Sequence, residues 1–244
     1  MIVLSCIDSE GDMSGLADRG DNERAKLVTE IGYERFQKAL LSGELRPGDF
    51  VSQKELAIRL ALSVGALREL IPRLHYEGLL TVQPQRGIQI TPINLPTIHE
   101  AFQMRLALER EAVITAVERL PGKVIERQRE LHQRFLEENQ RADMSEILKP
   151  ETLKKSRRID DEFHKCLIEN CENGLISKAY QINAMRSRLL RLYLVRSTVA
   201  AQAGVFADHL AIIEAIAKRD RAAAVDAVER HLRNAKSRAL EYFL

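Results

Sequence analysis

Ser52-Gln53-Lys54-Glu55-Leu56-Ala57-Ile58-Arg59-Leu60-Ala61-Leu62-Ser63-Val64-Gly65-Ala66-Leu67-Arg68-Glu69-Leu70 reads as two short helices separated by a tight turn. Ser52 with Glu55 three residues on is a capping box, opening a helix that carries Leu56, Ala57 and Leu60. Ala61-Leu62-Ser63 breaks it, and Ser63 can cap a second helix. Leu67, Leu70, Ile71 and Leu74 then recur with helical period as far as Gly78. Upstream, a helix over about Ala25–Leu41 ends at Ser42-Gly43-Glu44 and the turn Arg46-Pro47-Gly48-Asp49. Downstream, the strand-like runs Leu79–Val82 and Ile88–Thr91 flank Gln83-Pro84-Gln85-Arg86-Gly87. Helix, helix, turn, helix and hairpin in that order specify a winged helix-turn-helix.

On either side the sequence changes character. Residues 1–22 hold five acids, one base and three glycines without apolar period, and are expected to be a disordered acidic tail. The DNA-binding unit is expected over 23–92, a linker over 93–96, and a helical domain over 97–244. In that last part helices are expected at 97–119, 122–141, 152–172, 174–197, 205–218 and 222–242, with Gly204 marking a loop. Six helices suit one antiparallel bundle, so the fold class is mainly α: a winged helix-turn-helix followed by an all-α bundle.

The charge balance constrains function. Thirty-seven basic against 35 acidic residues leave a net charge of +2, so any DNA contact is local rather than a bulk-charge coating. No apolar run nears the ~18 residues of a membrane span, and the amino terminus lacks a basic flank and a long apolar core. Cys6, Cys166 and Cys171 form no disulfide or metal framework. A cytoplasmic protein without membrane partners is expected.

Leu41-Ser42-Gly43-Glu44-Leu45-Arg46-Pro47-Gly48-Asp49, Glu55-Leu56-Ala57, Leu67-Arg68-Glu69, Leu74, Glu77-Gly78-Leu79 and Arg86-Gly87 together resemble the GntR family of bacterial transcriptional regulators. The helical remainder, through Asp160, Phe163-His164, Asn173, His209 and His231, resembles the FCD effector domain of the FadR subfamily. The resemblance implies a homodimer on an inverted-repeat operator of double-stranded DNA, with the second helix of the motif in the major groove and the wing in the minor groove. DNA contacts then fall to Lys54, Ser63, Val64, Gly65, Arg68, Arg86 and Gly87. A guanidinium at Arg68 can clamp a phosphate or read a guanine edge. Arg86-Gly87 would form the wing tip. The family's usual arginine, small hydroxyl residue and proline after the Ser63 position are here Val64, Gly65 and Ala66. Valine can touch a thymine methyl but cannot hydrogen-bond a base.

In the helical domain, His209 and His231 lie 22 residues apart with Asp220 at their midpoint, inside a turn. An antiparallel hairpin therefore sets both imidazoles at one level, ~16 Å from that turn. Asp160 and His164, at i and i+4, add two groups from another helix. The pattern admits two readings: satisfied core histidines with a salt-bridged aspartate, or four ligands of a divalent transition metal of the Zn, Ni or Mn type. The FCD resemblance favours the second. It also implies a small organic acid or sugar acid effector, held by the metal and by Arg105, for which Glu109 at i+4 is the competing partner. Arg188 and Arg191 can line the same cavity, whereas His75, His99 and His132 show no such pattern and are expected at the surface or an interface.

The expected function is a non-enzymatic transcriptional regulator, a repressor, whose operator affinity a small carboxylate controls. The alternatives are a winged-helix protein with weakened DNA binding that acts through protein partners, and a metal-dependent hydrolase.

Overall fold

A computed structural model describes residues 14–194 and 198–241. It divides into two compact units, 1–91 and 92–244.

The first unit contains α1 (Ser14–Ser42), β1 (Phe50–Val51), α2 (Gln53–Arg59), α3 (Val64–Tyr76), β2 (Leu80–Gln83) and β3 (Gly87–Ile90). Ser52 and Ser63 cap α2 and α3, their hydroxyls accepting from the Glu55 and Ala66 amides at 3.1 Å each. The expected box of Ser52 and Glu55 is only half formed, because the Glu55 carboxylate binds Arg59. The inter-helix turn bends at Ala61, whose φ of 49° is left-handed. Leu67, Leu70, Ile71 and Leu74 bury one face of α3, and α1 contributes Phe36 and Leu40. Gly32 is what lets α1 approach: a Cβ there would stand 2.9 Å from Leu62 Cδ1 and 3.1 Å from Leu70 Cδ2.

The strands form a three-stranded antiparallel sheet ordered β1-β3-β2, with Val51 opposite Ile88 and Val82 opposite Ile88 on its other side. β1, only two residues long, has no periodicity to read. The expected tail over 1–22 lies outside the described residues as far as residue 13, and α1 begins at Ser14, ahead of Ala25.

The second unit is a bundle of α4 (Leu95–Arg119), α5 (Gly122–Asn139), α6 (Pro150–Glu169), α7 (Gly174–Leu194), α8 (Val199–Ala217) and α9 (Arg221–Leu240). Pro96, expected in the linker, falls in the first turn of α4, where the missing amide costs no hydrogen bond. Asn94 and Thr97 cap that turn reciprocally. Arg219 closes the other end of α4, donating to the carbonyls of Val117 at 2.8 Å and Leu120 at 3.0 Å.

Gly204, expected in a loop, lies inside α8, because Thr198 caps the helix earlier by accepting from the Ala201 amide. By length and composition α8 could cross a membrane, contrary to the reading of the apolar runs, since only Asp208 and Glu214 are charged within it. Here Phe206, His209, Ile212, Ile213 and Ile216 of α8 are buried, and the helix packs on α9 and α5.

Candidate functional site

In the first unit, Lys54, Ser63, Val64, Gly65, Arg68 and Arg86 are all exposed. Val64 opens α3, and Gly65 has only the Ser63 hydroxyl near its Cβ position, so the helix start is unobstructed. Arg68 Nε faces Gln53 Oε1 at 3.5 Å, which leaves its guanidinium on the exposed side of α3. Gly87, placed at the wing tip from the sequence, also has a structural requirement within the sheet. Its φ is +92°, and a Cβ would lie 2.8 Å from Val51 O, so glycine is required to seat β3 against β1. The tip itself is Pro84-Gln85-Arg86, closed by the Arg86 amide on Gln83 O.

In the second unit, His164 on α6, His209 on α8 and His231 on α9 are buried, each with one ring nitrogen within 4.8 Å of those of the others. Asp160 joins them: its Oδ1 stands 3.7 Å from His209 Nε2 and 3.8 Å from His164 Nε2. Those separations exceed a hydrogen bond and approach the ~3.4 Å between ligand atoms set ~2.1 Å from a tetrahedral ion. His209 Nε2 is buried and has no hydrogen-bond partner among the described residues.

A hydrogen-bond relay fixes which face each ring presents. His132 Nδ1 faces the Gln128 carbonyl at 2.7 Å, and a carbonyl can only accept, so Nδ1 carries the proton. His132 Nε2 then accepts from His209 Nδ1 at 3.0 Å, and His209 must offer the lone pair of Nε2 toward Asp160. Glu109 Oε2 stands 2.9 Å from His164 Nδ1, a charge contact without hydrogen-bond alignment that leaves Nε2 on the cluster side. His132 and Glu109 are both fully buried, so the expected surface position of His132 is wrong. A signal was available, because Ile125 and Phe135, at −7 and +3, share its helix face.

Electrostatics favour neutral imidazoles at His132, His209 and His231. Burial pushes His132 and His231 down to about 4 each, the Gln128 carbonyl opposing this at His132 and Asp208 at His231. Burial, then the neighbouring imidazoles, holds His209 well below the usual range. At Glu109, burial works the other way, but Arg105 and His164 overcome it and keep the carboxyl ionised. A neutral imidazole is the form in which His209 and His231 could ligate a metal ion.

Beside the cluster opens a cavity of about 50 Å³, lined in part by Arg105, Asp160, Arg191 and His231. Arg105 is buried and held through Nε by Glu109 Oε1 at 2.6 Å, while a terminal nitrogen lies 3.2 Å from His164 Nε2. Arg105 therefore has the Glu109 partner weighed for it, and it also lines the cavity. Arg188 does not line it; its Nε binds Asp161 Oδ2 at 3.1 Å. Arg191, one turn on, takes that place and pairs with both Asp160 and Asp161.

Comparison with known proteins matches residues 30–90 to the family model "Bacterial regulatory proteins, gntR family" and residues 100–234 to the FCD domain. The Nta operon transcriptional regulator of Aminobacter aminovorans is 29% identical over 62% of this chain and 67% of its own. The transcriptional repressor RspR of Escherichia coli is 24% identical over 84% of this chain and 86% of its own. Among solved structures, E. coli McbR/YncC superposes with a TM-score of 0.68 at 18% identity, covering 89% of this chain and 99% of that one. A GntR regulator from Rhodococcus gives 0.66 at 18% identity, covering 90% and 98%. The exposed α2–α3 motif with its wing, the buried histidine cluster, and these two model matches lead to one assignment: the chain belongs to the GntR family of bacterial regulatory proteins, as a DNA-binding, non-enzymatic regulator whose carboxyl-terminal half is an FCD domain.

Proposed function

We propose that this protein is a cytoplasmic, homodimeric transcriptional repressor of the FadR subfamily, released from an inverted-repeat operator by a small carboxylate bound at a metal-containing FCD site. The observation that carries this reading is the convergence of Asp160, His164, His209 and His231 on one buried point beside a cavity that also holds Arg105. Those four side chains would hold a divalent transition ion of the Zn, Ni or Mn type, and the ion would supply Lewis-acid coordination to an effector carboxylate.

Arg105 is suited to complete the grip. Its terminal nitrogen donates to the His164 lone pair, the electron pair a metal would take. With that lone pair engaged elsewhere, Arg105 keeps its Nε bond to Glu109 and has its outer edge free for a carboxylate. In the first unit, Lys54, Ser63, Val64, Gly65, Arg68 and Arg86 are the DNA-contacting set, with Gly87 shaping the wing. Exposed Met104 and Leu106 on α4 and Leu175 on α7 support a dimer face on those helices.

The test is a selection of fragmented genomic DNA on the purified protein at ~150 mM salt, where non-specific charge binding is suppressed. Enrichment of a short inverted repeat, released by a small acid only while metal is bound, is the expected result. No enrichment with metal present would overturn the operator reading in favour of action through protein partners. Release that chelation leaves unchanged would overturn the metal's role.

A further inference from the structure

We infer that the effector is a short dicarboxylate, with one carboxylate at the histidine cluster and the other at a second, guanidinium layer two helical turns away. This rests on the effector reading above and narrows it. Arg157 precedes His164 by seven residues, Gln202 precedes His209 by seven, and Arg238 follows His231 by seven. Seven residues make two turns, or ~10.5 Å along each axis. All three side chains line the same cavity as Arg105, Asp160 and His231, so α6, α8 and α9 offer a second polar layer on one side of the cluster.

The pairing of the arginines separates the two layers chemically. Arg105 is engaged by Glu109, and Arg191 by Asp160 and Asp161. Arg157 and Arg238 make no hydrogen bond or ion pair among the described residues; Asp161 reaches the first, and Asp208 and Glu241 the second, only through space. Asp208 is already held by Asn234. Burial lowers the pKa of both guanidiniums, as expected for partly desolvated cations lacking a contact partner. A guanidinium stays charged, so two of them facing one cavity leave positive charge that a ligand anion can neutralise. Gln202, whose Oε1 accepts from Ser156 at 2.6 Å, adds a neutral amide that can donate to the same anion.

Size sets the chain length. Water-accessible space of about 50 Å³ is a few times the ~10–15 Å³ that one water needs, which suits a small acid. An arginine side chain is long enough to extend from its own layer toward the histidines, so a ligand shorter than the separation of the backbone layers can meet both.

Calorimetric titration of the zinc-loaded full-length protein with acids matched in carbon number tests this: malonate, succinate, glutarate and adipate against propionate, butyrate, valerate and hexanoate. The expected result is that the best dicarboxylate binds at least tenfold more tightly than its monocarboxylate match. Arg157→Gln and Arg238→Gln should each remove that preference while leaving zinc content and monocarboxylate affinity unchanged, and Arg157→Lys should restore most of it. Equal binding of the two series, or a preference that survives both glutamine variants, overturns the dicarboxylate inference and leaves the carboxylate effector standing. Binding of neither series overturns both.

Discussion

Replacing His209 with alanine separates a metal site from a merely satisfied core. His209 is fully buried, and its Nε2 faces Asp160 Oδ1 at 3.7 Å with no hydrogen-bond partner among the described residues. If three imidazoles and one carboxylate hold zinc, ion at ~100 times its dissociation constant stabilises the unit by ~2.7 kcal/mol. For a domain of this size ~2–4 °C accompanies each kcal/mol, so zinc should raise the melting temperature of the chelator-stripped protein by ~5–10 °C. His209→Ala opens a cavity and costs a few kcal/mol by itself, so the absolute melting temperature is the wrong quantity. The zinc-induced increment is the right one. With affinity ~100-fold weaker, the same zinc contributes only ~0.4 kcal/mol, or ~1 °C. Differential scanning calorimetry with and without zinc reads both increments. Equal increments in the native and variant proteins would refute the four-ligand reasoning, as would no increment in the native protein.

Three further outcomes are expected. His132→Phe removes the acceptor that orients His209 through its 3.0 Å contact, and zinc affinity should fall ~10–100-fold in competition with a chelating dye, although His132 is not a ligand. Unchanged affinity would show that His209 holds its ring without help. Gly87→Ala forces a φ of +92° on an L-residue and drives its Cβ toward Val51 O, so the first unit should lose ~1–3 kcal/mol, read as a lower urea midpoint at constant slope. The Tyr33 hydroxyl donates to Glu77 Oε2 at 2.5 Å, and burial followed by that contact raises its pKa to about 12. A raised phenol pKa stabilises below the unfolded value of about 10 and is lost as pH climbs through about 12. Tyr33 is only partly buried, so screening leaves roughly 1 kcal/mol, and Tyr33→Phe should match the native stability only above that window. A difference that stays constant with pH would remove Glu77 from the account.

The four convergent side chains were legible because each rests on helical arithmetic. Asp160 and His164 are one turn apart, and a hairpin centred on Asp220 must level His209 with His231. What escaped depends on inter-helix distance, which no single-helix period encodes. Glu109 lies on the face of Ala112, Val113 and Ala116, at +3, +4 and +7, and that pattern marks it as buried, but the contact with His164 comes only from the packing of α4 on α6. His132 is the same case across α5 and α8. The choice between Arg188 and Arg191 turns on rotation about α7, a difference of three residues that hydrophobic period does not resolve. Pro96 and Gly204 misled because both residue types break helices in the interior yet are tolerated in a first turn or at a position open to solvent.

The polar layer also divides the bundle's core, which bears on how a ligand could be felt elsewhere. On α4, Ile98, Ala101 and Phe102 pack with Leu190 and Ala239 in one apolar cluster, whereas Ala112, Val113, Ala116 and Val117 belong to another with Phe163, Ile213 and Val228. Arg105 and Glu109 lie between those segments of α4, whereas on α9 His231 sits within the segment of the larger cluster, between Val228 and Leu232. Separating a buried ion pair without a replacement partner is costly, so the layer containing the site rearranges only when a ligand supplies new charge to Arg105 or Glu109, while the larger apolar cluster holds the bundle. The smaller cluster contains the first turns of α4, which begins at Leu95, five residues after β3 ends at Ile90. A ligand that draws Arg105 toward the cavity therefore acts on the half of α4 joined by the shortest stretch of chain to the DNA-binding unit. Arg105→Lys keeps the charge but loses the bidentate fork, so acids should still bind, more weakly, and operator release should weaken further than occupancy alone accounts for. Release that tracks occupancy alone in that variant would show that the signal leaves the site by another helix.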